Sequence, residues 1–396
     1  MSESGALRVL LVDPSLFTAP YDAALTQGLL EAGVEPSWAV RPIRPGDRQE
    51  LPPERVDPFF YQWIERASFL PAKLRSALKG LAHAFGLAGL VWRVARRRPD
   101  VVHFQWVVVP PLDTLAIWVI KLFAPVVLTV HDSVPFNGQR MSRLQTWGFE
   151  LPMRLSNRVI VHTRAGRDAL LARKIPEEKI AVVPHGPLSL PMPPTRPRIT
   201  RGGQDDRYTF VVFGEIKPYK GCDVIVEALG LLPSLIRKQA RVVIAGRPRM
   251  DLAPLRERIR ALGVGSEVQI RAARLSEEEM VDLFGEADCF LMPYRQIDAS
   301  GVYFLVKSLG KWLIASRVGI FAEDLQEGTQ GFLVPPGSPE QLAVCMARAV
   351  VERPRPEKVE AGAAWTAIGQ TTAQLYRELL EPAPVGAEVL SGEEAS

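Results

Sequence analysis

The sequence predicts an α/β protein built from two doubly wound domains, and three observations predict it. At 396 residues and 47% hydrophobic content the chain is too long for one ordinary core and apolar enough to bury two. Short apolar runs alternate with stretches of helical spacing, the mark of parallel sheets with crossover helices. The alternation is interrupted once, by a segment rich in Pro, Gly and Arg, and then restarts.

Taken in order, Arg8 to Asp13 (RVLLVD) reads as a buried parallel strand, and Ala23 to Ala32 behind it has the spacing of a helix. Val101 to Phe104, Val126 to Val130 and Val159 to His162 read as further strands of the first domain, residues 1–190. The interruption at 187–206 places the linker at 191–206. The second domain, 207–358, takes Tyr208 to Phe213, Arg241 to Ala245, Glu267 to Ile270, Cys289 to Met292 and Trp312 to Ser316 as strands. A final helix at 359–382 carries Trp365 and Tyr376, and 383–396 reads as a frayed tail. Two such domains leave a cleft between the carboxyl ends of their sheets, where ligands of this architecture bind.

Composition narrows the function. Cys222, Cys289 and Cys345 are far apart and lack metal-ligand spacing, which argues against a disulfide framework and fits a reducing compartment. Met1 to Gly5 has no basic-then-apolar order of a secretory signal, and the apolar run Leu115 to Val130 is broken by Lys121 and Pro125. The expectation is a cytoplasmic protein, peripheral on the inner face of the membrane. The net charge of +4 is uneven: residues 1–190 carry 23 Lys and Arg against 17 Asp and Glu. Arg66 to Arg98 holds eight basic side chains and no acidic one, accompanied at 59–92 by Phe59, Phe60, Tyr61, Trp63, Phe69, Phe85 and Trp92. Basic and aromatic residues together suit an anionic bilayer surface; the alternative is a solvated helix face over ordinary core. No recognition motif for nucleic acid accompanies them.

The chemistry concentrates in two segments. FGEIKPYKG (Phe213 to Gly221) ends a strand in a glycine turn, at Gly214, ahead of a helix, with Lys217 and Lys220 beside it. ASGVYFLVKSLGK (Ala299 to Lys311) opens a second helix, whose first amides belong to Ser300, Gly301 and Val302. Helix N-termini present free N–H groups to anions, and ammonium groups add charge, so two of them aimed at one crevice would clamp a diphosphate. The alternatives are a plain βα turn with solvated lysines and a simple N-cap at Ser300. On the other side of the cleft, SLFTAPYD (Ser15 to Asp22) follows the first strand, with Tyr21 and Asp22 as candidate acceptor contacts; Asp22 as a helix cap is the alternative.

The ordered set FGEIKPYKG, VVIAG, ADCFLMPY, SGV, GKWLIAS, VGIFAEDL and GFLVPPGSPEQLA, preceded by PDVVHFQW, VVLTVHDSVPF, VIVHT and VVPHGP, resembles the retaining glycosyltransferases of family 4 along nearly the whole chain. The resemblance implies the GT-B architecture: two Rossmann-like domains with parallel sheets facing a central cleft and a C-terminal helix crossing back to the N-terminal domain. It implies transfer from a nucleoside-diphosphate-sugar donor to a saccharide or polyprenyl-diphosphate-linked acceptor, with retention. By position, Lys220 binds the donor phosphates and His131 sits at the reaction centre; a histidine bonded within its own loop is the alternative for His131. His185, in the PHGP turn, reads as structural. Two glutamates usual in the family fall at Ile297 and Leu305 here, so Asp298 is the candidate replacement for the first, and Leu305 cannot bond a ribose. The usual arginine of the phosphate turn is Glu215, which leaves Lys217 as the cation. No acidic pair ends a strand, so no obligatory metal and no cofactor are expected. Two rival readings remain at this stage: a sugar-nucleotide epimerase or hydrolase on the same scaffold, and a non-catalytic nucleotide-sugar-binding protein.

Overall fold

The computed structural model describes residues 6–44, 47–66, 71–133, 147–189, 206–356 and 362–381. The expected linker, apart from Asp206, and the expected tail at 383–396 lie outside them.

Two all-parallel sheets form as the apolar runs require. The first runs β3 (Val56–Pro58), β2 (Val34–Val40), β1 (Leu7–Asp13), β4 (Val101–Phe104), β5 (Val126–Val130), β6 (Arg158–Val161) and β7 (Ile180–Val182) in that spatial order. The second runs β10 (Val268–Arg271), β9 (Ala240–Ala245), β8 (Tyr208–Phe213), β11 (Cys289–Met292), β12 (Trp312–Ser316) and β13 (Gly331–Val334). Every strand read from the sequence is present within a residue or so of its expected bounds. β2, β3, β7 and β13 were not expected. β2 hid behind its composition, VEPSWAV: Pro36 pairs with Val9 of β1 while β3 reaches only Trp38–Val40, so the side of Pro36 that lacks an N–H meets no strand.

Both sheets are buried on two faces, which is why their strands are continuous apolar runs rather than alternating ones. In each sheet the strand order reverses beside the first strand, between β1 and β4 and between β8 and β11. Loops leave such a switch point in opposite directions and open a crevice at the carboxyl ends of the strands.

The last helix, Gly362–Leu380, does cross back onto the first domain, against the helix Ala19–Glu31. The approach is as close as backbones permit: a Cβ on Gly369 would stand 2.0 Å from the Gly28 carbonyl oxygen. Trp365, Ile368, Leu375 and Tyr376 bury themselves among Val9, Leu11, Tyr21 and Leu25. Tyr376 hydroxyl meets His103 Nδ1 at 2.6 Å, and His103 Nε2 meets the Thr129 hydroxyl at 2.7 Å, so the helix is tied to the floor of β4 and β5.

Candidate functional site

The glycine turn after β8 is built around Gly214. Its φ of +98° is a backbone state only glycine adopts at no cost, and an added Cβ would lie 2.8 Å from Lys220 Nζ and 3.6 Å from a methyl of Val302. One position therefore adjoins both the lysine of the first segment and the first turn of the second. Gly246, at the end of β9, has φ +148° and packs on the Gly214 carbonyl, where a Cβ would stand 2.0 Å from the oxygen. Lys220 Nζ donates to the Phe213 carbonyl at 3.0 Å and lies 5.5 Å from the Tyr294 ring centre. The lysine is 5% exposed, and burial pulls its ammonium down to about 8. Ser300 is the N-cap of the helix Gly301–Ser308, and its side chain makes no capping bond to the helix's first amides. A Cβ on Gly301 would meet only Leu188, at 3.4 Å.

Lys217 does not stand alone. It pairs with Glu215 at 3.1 Å, and Glu215 is also held by Arg249 at 2.6 Å, so the cationic edge of the turn is shared between Lys217 and an arginine from the loop after β9. Arg249 was missed because it lies more than thirty residues away in sequence.

Across the cleft, His131 ends β5, 9% exposed, its ring stacked on Trp106 at 4.8 Å. Its protonation follows from its neighbours. The Val183 carbonyl can only accept, so His162 donates to it from Nδ1 at 2.9 Å. Burial pushes His162 down to about 4 and His131 well below the usual histidine range, so both rings are neutral. His162 Nε2 then accepts from His131 Nδ1 at 3.2 Å, and His131 Nε2 is left as a bare lone pair, buried and without a partner. His162 was read only as the end of a strand; the polar residue closing an apolar run was the available signal.

Asp298 joins the two halves, its carboxylate accepting from the Ser133 N–H. Asp132, between His131 and Ser133, is raised to about 7, first by burial and then by the negative charge of Asp298, with Lys217 opposing. His131, Asp132 and Asp298 thus gather on one spot, close enough to the lysine turn for Lys217 to act on Asp132. A second carboxylate bridge sits further along, where Glu323 accepts from the Arg164 and Ala165 amides at 2.8 Å each.

Tyr21 and Asp22 take other places than expected. Tyr21 is 3% exposed, its ring packed among His131, His162, His185 and Trp365, and Asp22 is fully buried beside Asp13. Both shape the wall behind the cleft and offer no side chain to an acceptor. The outward residue of that loop is Phe17, 55% exposed and edge-on to Trp106 at 5.2 Å. His185 stacks on Phe304 of the other domain at 4.1 Å, a packing role as expected.

Known proteins resemble this chain in sequence and in fold. Residues 23–186 match the model of Glycosyltransferase Family 4, and residues 198–364 match that of Glycosyl transferases group 1. The two matches span both domains, and the chain has the GT-B architecture and resembles the glycosyltransferases of family 4. Among curated relatives, the GDP-mannose-dependent alpha-(1-6)-phosphatidylinositol monomannoside mannosyltransferase of Mycobacterium tuberculosis is 28% identical over 157 residues, 38% of this chain. The D-inositol 3-phosphate glycosyltransferase of Jonesia denitrificans is 29% identical over 171 residues, 42% of this chain. The matched stretch spans 40% of the length of each relative. Among solved structures, sucrose-phosphate synthase of Thermosynechococcus elongatus aligns with TM-score 0.67 at 18% identity, over 94% of this chain and 99% of its own. Anabaena HepE in complex with UDP and glucose aligns with TM-score 0.62 at 16% identity and the same coverage. UDP-GlcNAc 2-epimerase of Neisseria meningitidis, TM-score 0.54 at 15% identity over 93% of this chain and all of its own, shares the scaffold. These structural likenesses show the fold.

Proposed function

We propose that this protein transfers a sugar from a nucleoside-diphosphate-sugar to a saccharide or lipid-linked saccharide, with retention and without an obligatory metal, while resting on an anionic membrane surface. One observation carries the reading: Gly214 adjoins both Lys220 and Val302, so the glycine turn and the first turn of the helix Gly301–Ser308 converge on one spot, with Asp298, just ahead of that helix, bonded to Ser133 two residues past His131. A diphosphate there meets an ammonium group and uncapped amides, and these stabilise the charge that grows as it leaves. The bond from the anomeric carbon to the diphosphate oxygen breaks and one to the acceptor oxygen forms on the same face. The acceptor proton passes to the departing diphosphate. The bare Nε2 of His131 accepts from a hydroxyl of the transferred sugar, and Asp298 stands near it in place of the usual glutamate. The phosphatidylinositol monomannoside mannosyltransferase among the relatives supports an acceptor of glycolipid type.

The test is a product assay over a panel of UDP- and GDP-sugars with lipid-linked and free saccharide acceptors. Free nucleoside diphosphate released only when acceptor is present is the expected result. Turnover of donor alone would favour the epimerase or hydrolase reading, and tight donor binding without product would favour a non-catalytic binder.

A further inference from the structure

The glycine turn contains an anion. Glu215 directly follows Gly214, and both oxygens of its carboxylate are taken by cations. Arg249 donates to Oε1 from Nε at 2.7 Å and from Nη2 at 2.6 Å, and Lys217 Nζ lies 3.1 Å from Oε2. The loop that carries Arg249 is itself pinned to the turn: Arg249 N–H donates to the Ile216 carbonyl and Ile216 N–H to the Arg247 carbonyl, each at 2.9 Å. Burial opposes the ionised form of Glu215, but the bonds to Arg249 and Lys217 hold its carboxyl below the usual glutamate range, so it stays charged through neutral pH.

This anion stands at the reacting end of the crevice. Lys217 is close enough to act on Asp132, the neighbour of His131, and the Tyr219 phenol is pushed up by burial, then by Tyr294, Asp132 and Glu215. A sugar diphosphate laid against Lys220 with its sugar toward His131 brings its terminal phosphate beside the Glu215–Lys217 pair. Lys217, Lys220 and Arg249 set against Glu215 leave two positive charges. A nucleoside diphosphate esterified to a sugar carries two negative charges, and the free nucleoside diphosphate gains a third as its terminal phosphate ionises above about pH 6. The turn matches the first ligand and is one charge short for the second.

We propose that Glu215 is a specificity residue, a fixed counter-ion that admits the donor and weakens the hold on the spent nucleoside diphosphate. The inference rests on the transfer reading above and adds to it a reason for release. The departing diphosphate takes up the acceptor proton, loses it to solvent, and with its third charge is repelled by the carboxylate that Lys217 and Arg249 hold in place. Asp132, raised to about 7 by burial and by Asp298, adds repulsion of the same sign as it ionises. Were Glu215 only a brace for the two cations, its loss would weaken both ligands.

Calorimetry on the full chain with UDP, GDP, ADP and dTDP, each beside its glucose ester, tests this through the ratio of the two affinities for whichever base binds. At pH 8, Glu215→Gln should tighten the nucleoside diphosphate at least about fivefold relative to its ester, the size of one unit-charge repulsion at contact distance in water. At pH 5.5 the free diphosphate has lost its third charge, and the variant's ratio should agree with that of the wild type within about twofold. Arg249→Gln, which removes a cation from the same triad, should move the pH 8 ratio the opposite way. Asp132 and Lys220 titrate in this range and are present in all three proteins, so their effects cancel in the comparison. A pH 8 ratio unmoved by Glu215→Gln, or weaker binding of both ligands, would overturn the inference. If Lys220→Ala still weakens every ligand in that case, the diphosphate site stands and only the role of Glu215 falls. If no nucleotide binds the wild type, or Lys220→Ala changes no affinity, the transfer reading falls and takes this inference with it.

Discussion

Two side chains carry most of the proposed chemistry, and each role has a measurable signature. Lys220 is buried with its ammonium pulled down to about 8, so the free protein loses this charge as pH rises through 8, while exposed lysines keep theirs to about 10.4. Donor affinity should therefore fall between pH 7 and 9.5, a window in which the diphosphate itself is already ionised. Lys220→Ala should weaken nucleoside diphosphate binding by about 1.5–3 kcal/mol, the range of a charge-assisted hydrogen bond, and abolish that pH dependence. An unchanged affinity, or the same pH slope without the lysine, would refute the role. His162 acts through His131. Gln at 162 has one atom to donate to Val183 and one to accept from His131 Nδ1, whereas Phe has neither and frees His131 to take the other tautomer. His162→Phe should lower kcat at least tenfold with donor KM little changed, and His162→Gln should recover most of it. Equal losses in the two variants would reduce His162 to packing.

The helix Ala72–Arg97 shows what a basic, aromatic segment becomes once folded. Its outward face carries Leu81, Phe85 and Trp92 at 51%, 62% and 60% exposure, beside Leu115 and Trp118 of the helix Pro110–Ile120. Among the described residues no helix is long and apolar enough to cross a membrane. The basic residues divide: Arg93 and Arg97 are bonded to Asp57, Arg98 lies over Phe123 at 4.7 Å, and Arg96 lies beside Trp92. Arginine near an anionic surface is worth ~1 kcal/mol each, less where an acid already holds it. Neutralising Arg96, Arg97 and Arg98 together should then weaken binding to phosphatidylserine vesicles roughly tenfold or more and leave neutral vesicles unaffected. Equal binding by the triple variant would make this a solvated face. The strands were legible because parallel sheets demand unbroken apolar runs. β2 was not, because Glu35, Pro36 and Ser37 are tolerated by a partly unpaired flank. The lysine turn was legible from its glycine and charges. The Asp132–Asp298 juxtaposition, the His162 bond and the burial of Tyr21 and Asp22 arise only when distant loops meet, and nothing local in the sequence encodes them.

At the scale of the molecule the two domains meet through polar bridges as well as packing. Asp298 accepts from Ser133 N–H, Glu323 caps the start of the helix Arg164–Ala172, and Ser308 bonds the Leu188 carbonyl. These contacts hold the lysine turn opposite His131, while the returning helix fixes the first domain from behind through the Gly28–Gly369 crossing. The arrangement stands or falls on a single convergence, which a crystal structure with the nucleoside diphosphate that most raises the melting temperature addresses directly. The diphosphate should lie beside Gly214, with oxygens within about 3.2 Å of Lys220 Nζ and of an amide in Ser300 to Val302. A diphosphate bound elsewhere, with the space between Gly214 and the helix start left empty, would contradict the account.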